Sequence, residues 1–278
     1  MRGWVEVGVI KALLEKKVAI DIVGGTSVGA IIGASFLMSS SYDEFYQIVS
    51  VIAHAIRNPF ALRNFTLPMI SILNGKAGTL ALQRCFDEQH IEDLKKQFFC
   101  ISCNISKSKQ VIHTQGLLWR WVRASGAIPG LVPPIVDGSG DVYVDGGVVN
   151  NLPVDVMRDY LDGKGKIIAV DLASSIHANQ AYYFPPIITF WDAIKIKLKL
   201  TKGKPYTFPR YYETLIEALL MGSHERTLKN AISADILIQP DLSTYSAFFR
   251  TDQTDSLISL GYQLMMCHLR SPTDTAIK

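Results

Sequence analysis

The sequence predicts an α/β fold, and three observations support this. A segment rich in β-branched residues precedes Gly24, and a helix-forming segment starts at Val28, which is typical of a buried strand leading into a helix. A second short strand, residues 142–144, runs directly into Asp145 and two glycines. Hydrophobic residues make up 48% of the 278 residues and charged residues only 19%, which excludes disordered and coiled-coil proteins.

The first element is a helix. Val5, Val9, Ala12 and Leu13 recur at three- and four-residue spacing, which predicts one buried helical face. The next segment, residues 18–38, could be taken for a transmembrane helix because it is apolar. Asp21 and the glycine pair that starts at Gly24 interrupt it. We therefore favour a strand over residues 19–23, a tight turn, and a helix from Val28.

That turn reads Gly25-Thr26-Ser27-Val28-Gly29, a G-x-S-x-G motif. Between a strand and a helix, this motif forms an elbow that presents the serine hydroxyl. The glycines leave room for close backbone packing, and the Val28 N–H at the helix N-terminus is a candidate oxyanion donor. A dinucleotide site is not predicted, because the glycines lack G-x-G-x-x-G spacing.

A nucleophilic serine needs a base, and histidine is the usual one. Asp145 followed by His177, His224 or His268 satisfies the Ser–Asp–His order of α/β-hydrolases. In that fold, however, several strands precede the nucleophile, whereas Ser27 has room for only one strand and one helix before it. We therefore expect the histidines to be surface or core residues.

Asp145 is the alternative base. It ends a predicted strand, where sites form in open α/β sheets, and Gly146 and Gly147 leave space beside it. An Asp-Gly hairpin turn is the competing interpretation of the same residues.

Taken in order, three motifs resemble the patatin-like phospholipase family. They are G-T-S-V-G at 25–29, R-A-S-G-A-I-P-G at 123–130 and D-G-G-x-x-N-N-L-P at 145–153. W-R-W-V-R-A-S at 119–125, I-Q-P at 238–240 and G-Y at 261–262 resemble more specifically its neuropathy target esterase branch of lysophospholipases. The resemblance implies a three-layer α/β/α domain with a central, mostly parallel sheet. The whole chain, 1–278, would form one domain, with core motifs in 2–175 and a helical, membrane-facing part in 176–278.

The resemblance also implies a serine esterase acting on phospholipids or lysophospholipids through a Ser–Asp dyad. Ser27 would be the nucleophile and Asp145 the general base, with no cofactor and no metal. Cys100 and Cys103 lack the second ligand pair of a zinc site, and we interpret them as strand residues.

The sequence departs from the family at its beginning. Arg2-Gly3 resembles the end of a glycine-rich loop whose N–H groups complete the oxyanion hole. The rest of that loop and the strand before it would precede Met1, so we expect the first strand to be missing. An alternative function follows, namely a catalytically impaired domain that binds a membrane or a partner.

Residues 182–204 combine aromatic and basic side chains, with Trp191 beside Lys195, Lys197 and Lys199. This pattern is typical of a helix on an anionic membrane surface, although an edge strand fits the alternation equally well. The four cysteines favour a reducing compartment, so we expect a cytoplasmic protein at the inner membrane face. A net charge of +3 gives no reason to expect nucleic-acid binding.

Overall fold

A computed structural model describes residues 2–173, 181–198, 200, 206–208, 211–243, 245 and 253–270. The helices are α1 (Trp4–Glu15), α2 (Val28–Leu37), α3 (Tyr42–Ile56), α4 (Lys76–Phe86), α5 (Leu118–Ser125), α6 (Val154–Leu161), α7 (Phe190–Lys197), α8 (Tyr211–Met221), α9 (His224–Ser233) and α10 (Thr254–Arg270). The strands are β1 (Ile22–Thr26), β2 (Gln97–Asn104), β3 (Lys109–His113), β4 (Ile135–Val136), β5 (Val142–Asp145), β6 (Ile168–Val170) and β7 (Ile236–Ile238).

The strands form two separate sheets, one of β1 to β5 and one of β6 and β7. In the larger sheet only β1 and β2 pair in parallel, whereas β2–β3, β2–β5 and β4–β5 are antiparallel. The small sheet is parallel. The larger sheet is therefore mixed, whereas the sequence analysis predicted mostly parallel strands. Short connections join β2 to β3 and β4 to β5, which favours antiparallel pairing of each pair. The direction of β5 along β2 depends on the longer path of the chain between them.

Two strands meet end to end along one edge of β2. Thr26, the last residue of β1, lies opposite Ile101, and Asp145, the last residue of β5, lies opposite Ser102. β3 occupies the other edge of β2 at both positions. Because β1 runs parallel and β5 antiparallel to β2, their carboxyl ends converge. The residue that follows Thr26 is therefore brought to Asp145.

Alternating side chains of β2 build the layers above and below the sheet. Phe98 and Cys100 pack with α2, α3, α4 and α5 in one apolar cluster. Phe99 and Ile101 point to the other side, where they pack against Val156 of α6. This period-two alternation produces the three-layer α/β/α arrangement that the sequence predicts.

A second pair of helices covers the small sheet. α1 and α10 pack on β6 and β7 through a shared apolar cluster. They approach most closely at Gly8 and Gly261, where an added Cβ would overlap the backbone of the other helix. The predicted helix at the start of the chain is thus confirmed, and it buries Val5, Val9 and Leu13.

A cleft of about 530 Å³ separates the two sheets and is lined by β1 and β6. Among the described residues, β1 pairs only with β2, and β6 pairs only with β7. Each strand therefore presents an unpaired edge to the cleft. Glu6, a half-buried residue, also lines it, and its Oε2 atom is enclosed without a hydrogen-bond partner.

Residues 18–38 form a strand and a ten-residue helix. The strand begins later than predicted, at Ile22, and continues through both glycines to Thr26, because Gly24 and Gly25 take part in the ladder with β2. No helix in the described part of the chain has the length and apolar character to cross a bilayer.

Candidate active site

Ser27 occupies the elbow between β1 and α2. Its backbone has φ 54° and ψ −115°, a conformation that L-residues rarely adopt and that marks strained functional turns. The carbonyl of Ser27 accepts a hydrogen bond from the Ile31 N–H in the first turn of the helix. The predicted elbow between a strand and a helix is therefore present in the fold, with Val28 as the first helical residue.

The Oγ of Ser27 donates a hydrogen bond of 2.8 Å to Oδ2 of Asp145. The other carboxylate oxygen, Oδ1, accepts the N–H of Gly147 at 2.7 Å. The main chain of Asp145 is also fixed, because its N–H donates to the Ala127 carbonyl at 2.9 Å. Asp145 is thus held by both its backbone and its side chain, with one oxygen directed at Ser27.

Burial sets the acidity of this carboxyl group. Asp145 is only 3% exposed, and loss of water raises its pKa to about 6. The bonds from Gly147 and Ser27, and the positive charge of Arg123, oppose that increase. At neutral pH the group is therefore a carboxylate, and it is a stronger base than an aspartate in water.

The glycines around the two residues are required by close packing. A Cβ on Gly25 would overlap the Gly29 backbone, and one on Gly146 would overlap the Ile101 carbonyl. At Gly147 a Cβ would crowd Asp145 Oδ1 at 3.1 Å and Leu219 of α8 at 3.2 Å. These positions admit no larger side chain without displacing the elbow or Asp145.

Several residues that hold the site were not predicted from the sequence. Ser125, fully buried at the end of α5, accepts the Ser27 N–H on its Oγ at 2.9 Å. The Thr26 hydroxyl donates to the Asn150 carbonyl at 2.8 Å. Arg123, whose charge acts on Asp145, and Ser125 belong to the second sequence motif, and Asn150 belongs to the third. These motifs indicate the family, but they do not reveal which residues contact one another.

Arg2 and Gly3 lie at the N-terminal end of α2. Gly3 approaches so closely that a Cβ there would overlap the Val28 side chain, and the guanidinium of Arg2 donates to the Leu172 carbonyl at 3.4 Å. The start of the chain is therefore beside the elbow and near the end of β6. This is where donors to an oxyanion would have to be.

No described histidine hydrogen-bonds to Ser27 or Asp145. His113 is the buried one; it bonds to Ser102 at 2.6 Å and stacks on Trp121, and burial lowers its pKa to about 4. His224 begins α9 and His268 lies in α10, whereas His177 is outside the described residues.

In the part of the chain that is described, no group of three or more His, Cys, Asp or Glu could hold a metal.

Residues 190–197 are helical, so the edge-strand interpretation is wrong. The Thr189 hydroxyl and the Asp192 carboxylate form a capping box at its start. Phe190 is 73% exposed and Trp191 68%. Lys195 is also exposed, while Lys199 is outside the described residues. Lys197 is the last helical residue.

Comparison with known proteins identifies the family. A family model described as patatin-like phospholipase matches residues 1–158. The chain belongs to the patatin-like phospholipase family. The predicted similarity to the neuropathy target esterase branch is confirmed. An NTE family protein of Mycobacterium bovis is 30% identical over 274 residues, which is 98% of this chain and 45% of that protein.

Eukaryotic relatives agree. Patatin-like phospholipase domain-containing protein 7 of mouse is 35% identical over 270 residues, covering 94% of this chain and 19% of that protein. Lysophospholipase nte1 of Aspergillus fumigatus is 38% identical over 193 residues, covering 69% of this chain and 12% of that protein. The chain thus spans less than half the length of these relatives.

The fold has a solved counterpart. The crystal structure of VipD from Legionella pneumophila superposes with a TM-score of 0.51 at 13% sequence identity, covering 96% of this chain and 64% of that one. At this identity the likeness concerns the fold alone, and it agrees with the three-layer patatin arrangement.

Proposed function

We propose that this patatin-like domain is a serine esterase that hydrolyses acyl ester bonds of phospholipids or lysophospholipids. The observation that carries the proposal is the 2.8 Å hydrogen bond from the Ser27 hydroxyl to the buried Asp145 carboxylate. This is the arrangement expected of a nucleophile and the general base that activates it. Relatives named phospholipase and lysophospholipase supply the substrate class.

In the proposed mechanism, Ser27 Oγ attacks the ester carbonyl carbon while its proton passes to Asp145 Oδ2. The tetrahedral intermediate collapses into an acyl-enzyme, and the protonated Asp145 gives its proton to the departing glycerol oxygen. Asp145 then takes a proton from the water that attacks the acyl group. As the second tetrahedral intermediate collapses, Asp145 gives this proton to Ser27 Oγ, which releases the fatty acid and restores both the serine hydroxyl and the carboxylate. Asp145 thus acts as base and acid in turn.

The negative oxygen of the intermediate needs donors. The Val28 N–H at the start of α2 is the donor that the elbow geometry favours, assisted by the positive end of the helix dipole. The family's glycine-rich loop would add further N–H groups. Loss of one such donor typically lowers the rate about 100- to 1,000-fold.

Peripheral membrane contact through α7, at a cytoplasmic membrane face, is a further part of the proposal. The exposed Phe190 and Trp191 and the basic residues Lys195 and Lys197 support it, since aromatic and basic side chains suit an anionic interface. Flotation with anionic vesicles tests it: Lys195→Glu with Lys197→Glu is expected to reduce binding, and undiminished binding would remove this part.

The function itself is tested by fatty-acid release from lysophosphatidylcholine beside a short-chain soluble ester, using wild type and Ser27→Ala. We expect hydrolysis by the wild type and a loss of several orders of magnitude in Ser27→Ala. Equal rates for the two proteins, above a denatured control, would contradict it. A domain that only binds membrane is less well supported, because such a role does not require the Ser27–Asp145 hydrogen bond.

A further inference from the structure

An apolar hairpin projects from the fold between α3 and α4. Residues 64–74 turn back on themselves, with Thr66 N–H donating to the Ile72 carbonyl at 3.0 Å and Asn74 N–H to the Asn64 carbonyl at 2.8 Å. Phe65 and Leu73 form an antiparallel bridge within it. The segment therefore has a defined conformation. We call residues 64–74 the apolar hairpin.

The tip of the apolar hairpin is unusually exposed for its composition. Leu67 is 77% exposed, Met69 88% and Ile70 70%. Leu62, just before the hairpin, is 90% exposed. Isolated apolar side chains on a surface need no explanation, but several grouped on one projection mark a contact with a membrane or another apolar partner.

The base of the apolar hairpin is fixed to the loop that follows α5, and the same loop holds the main chain of Asp145. The Ile72 N–H donates to the Gly130 carbonyl at 3.0 Å, and the Leu73 N–H to the Leu131 carbonyl at 2.9 Å. Three residues earlier in that loop, the Ala127 carbonyl accepts the N–H of Asp145. The exposed tip is thus connected through a short hydrogen-bonded frame to the active site.

Charge distinguishes among the possible partners. Between Glu44 and Asp87 the sequence has no acidic residue and four basic ones. Arg57, Arg63 and Lys76, which flank the apolar hairpin, are exposed. An apolar tip framed by cations complements an anionic bilayer, whose headgroups attract the basic residues while the acyl region accepts the apolar ones.

We propose that the apolar hairpin inserts into an anionic phospholipid bilayer and positions the active site at the membrane surface. The inference rests on the proposed lipid-ester function for its purpose, and adds a docking surface distinct from α7. Leu67, Met69 and Ile70 enter the interface, and the flanking basic residues contact the headgroups.

The test measures vesicle binding without turnover. The Ser27→Ala variant of the 278-residue chain is floated with vesicles of phosphatidylcholine containing about 30% phosphatidylserine, a composition with a negative surface. Adding Leu67→Ser, Met69→Ser and Ile70→Ser is expected to weaken partitioning by at least about tenfold, since each removes an inserted apolar side chain. The matched control adds Ile105→Ser, Leu228→Ser and Ile232→Ser, which are also exposed, and should bind as the parent does.

Undiminished binding of the hairpin variant, or an equal loss in the control, would overturn the proposal. The proposal would also be overturned if the hairpin substitutions abolished a dimer of the chain while vesicle binding stayed unchanged.

A second measurement avoids disruptive changes. In the variant Met69→Trp with Trp191→Phe, anionic vesicles should shift the tryptophan emission to the blue, and no shift counts against insertion. With Ser27 intact, the hairpin variant should hydrolyse a soluble short-chain ester at the parental rate. Absence of that activity in the parent would refute the esterase proposal, whereas vesicle binding would still judge the hairpin.

Discussion

Ser27 and Asp145 are 118 positions apart in the sequence, yet the Ser27 Oγ lies 2.8 Å from Asp145 Oδ2. The register of β2 explains this contact. Ile101 and Ser102 are neighbours on β2, and they pair with the last residue of β1 and the last residue of β5. One edge of one strand thus aligns the two ends, and the elbow turns the serine toward the carboxylate.

The pKa of Asp145 predicts the acidic side of the pH–rate profile. The base must be ionised to accept the Ser27 proton, and burial raises its pKa to about 6. The value of kcat/KM should therefore rise with pH and level off above about 6. A profile that levels off near ~4, the ordinary range of an aspartate, would contradict a buried base.

Arg123 should shift that profile. Its positive charge lowers the pKa of Asp145, so Arg123→Gln is expected to move the acidic limb to higher pH. Arg120→Gln is the matched control, because Arg120 lies on the same helix but bonds to the Val136 carbonyl. Equal shifts in both variants would show that the effect does not depend on Arg123.

Asp145→Asn should stabilise the fold at the expense of activity. The pKa of this carboxyl group is about 6 when folded and about 3.9 when unfolded. The raised value favours the folded state below pH ~4, and this advantage is lost as the pH rises through about 6. Replacing the ionised group should therefore stabilise by on the order of 2–3 kcal/mol at pH 7.5. Thermal melts at pH 7.5 and near pH 4 check this, and an equal difference at both would contradict it.

Ser125 is predicted to be a positioning residue. Its hydroxyl accepts the Ser27 N–H in a fully buried position, so Ser125→Ala leaves that donor unsatisfied at a cost of about 1–3 kcal/mol. We expect kcat on a soluble ester to fall while KM and the pH profile stay nearly unchanged. Ser125→Thr retains the hydroxyl and should restore part of the rate, which a loss of packing alone would not explain. Rates equal to the wild type in Ser125→Ala would contradict this role.

The sequence predicted the two central residues but not their supports. Ser27 and Asp145 stand in short motifs whose neighbouring strand, helix and glycines can be identified locally. Ser125 and Arg123 act across the fold, and their contacts depend on how α5 packs on β2, which no local pattern encodes. The mixed sheet was missed for the same reason, since strand direction depends on which edges pair.

The cleft between β1 and β6 is expected to accept an added strand, because in the described part of the chain each of these strands has an unpaired edge. A nine-residue apolar strand ending in three glycines, fused before Arg2, could pair with both unpaired edges and supply N–H groups beside Val28. We expect a higher melting temperature and faster ester hydrolysis. The same extension with alternate residues changed to proline cannot pair and serves as the control. Equal effects of the two extensions would contradict strand insertion in this cleft.

Covalent labelling by a fluorophosphonate probe tests the central claim most directly, because the probe reacts only with an activated serine. The wild type should be labelled, with the adduct mapped to Ser27 by mass spectrometry. Ser27→Ala should not be labelled, and Asp145→Asn should be labelled far more slowly. An unlabelled wild type, or equal labelling of wild type and Ser27→Ala, would contradict Ser27 as the nucleophile.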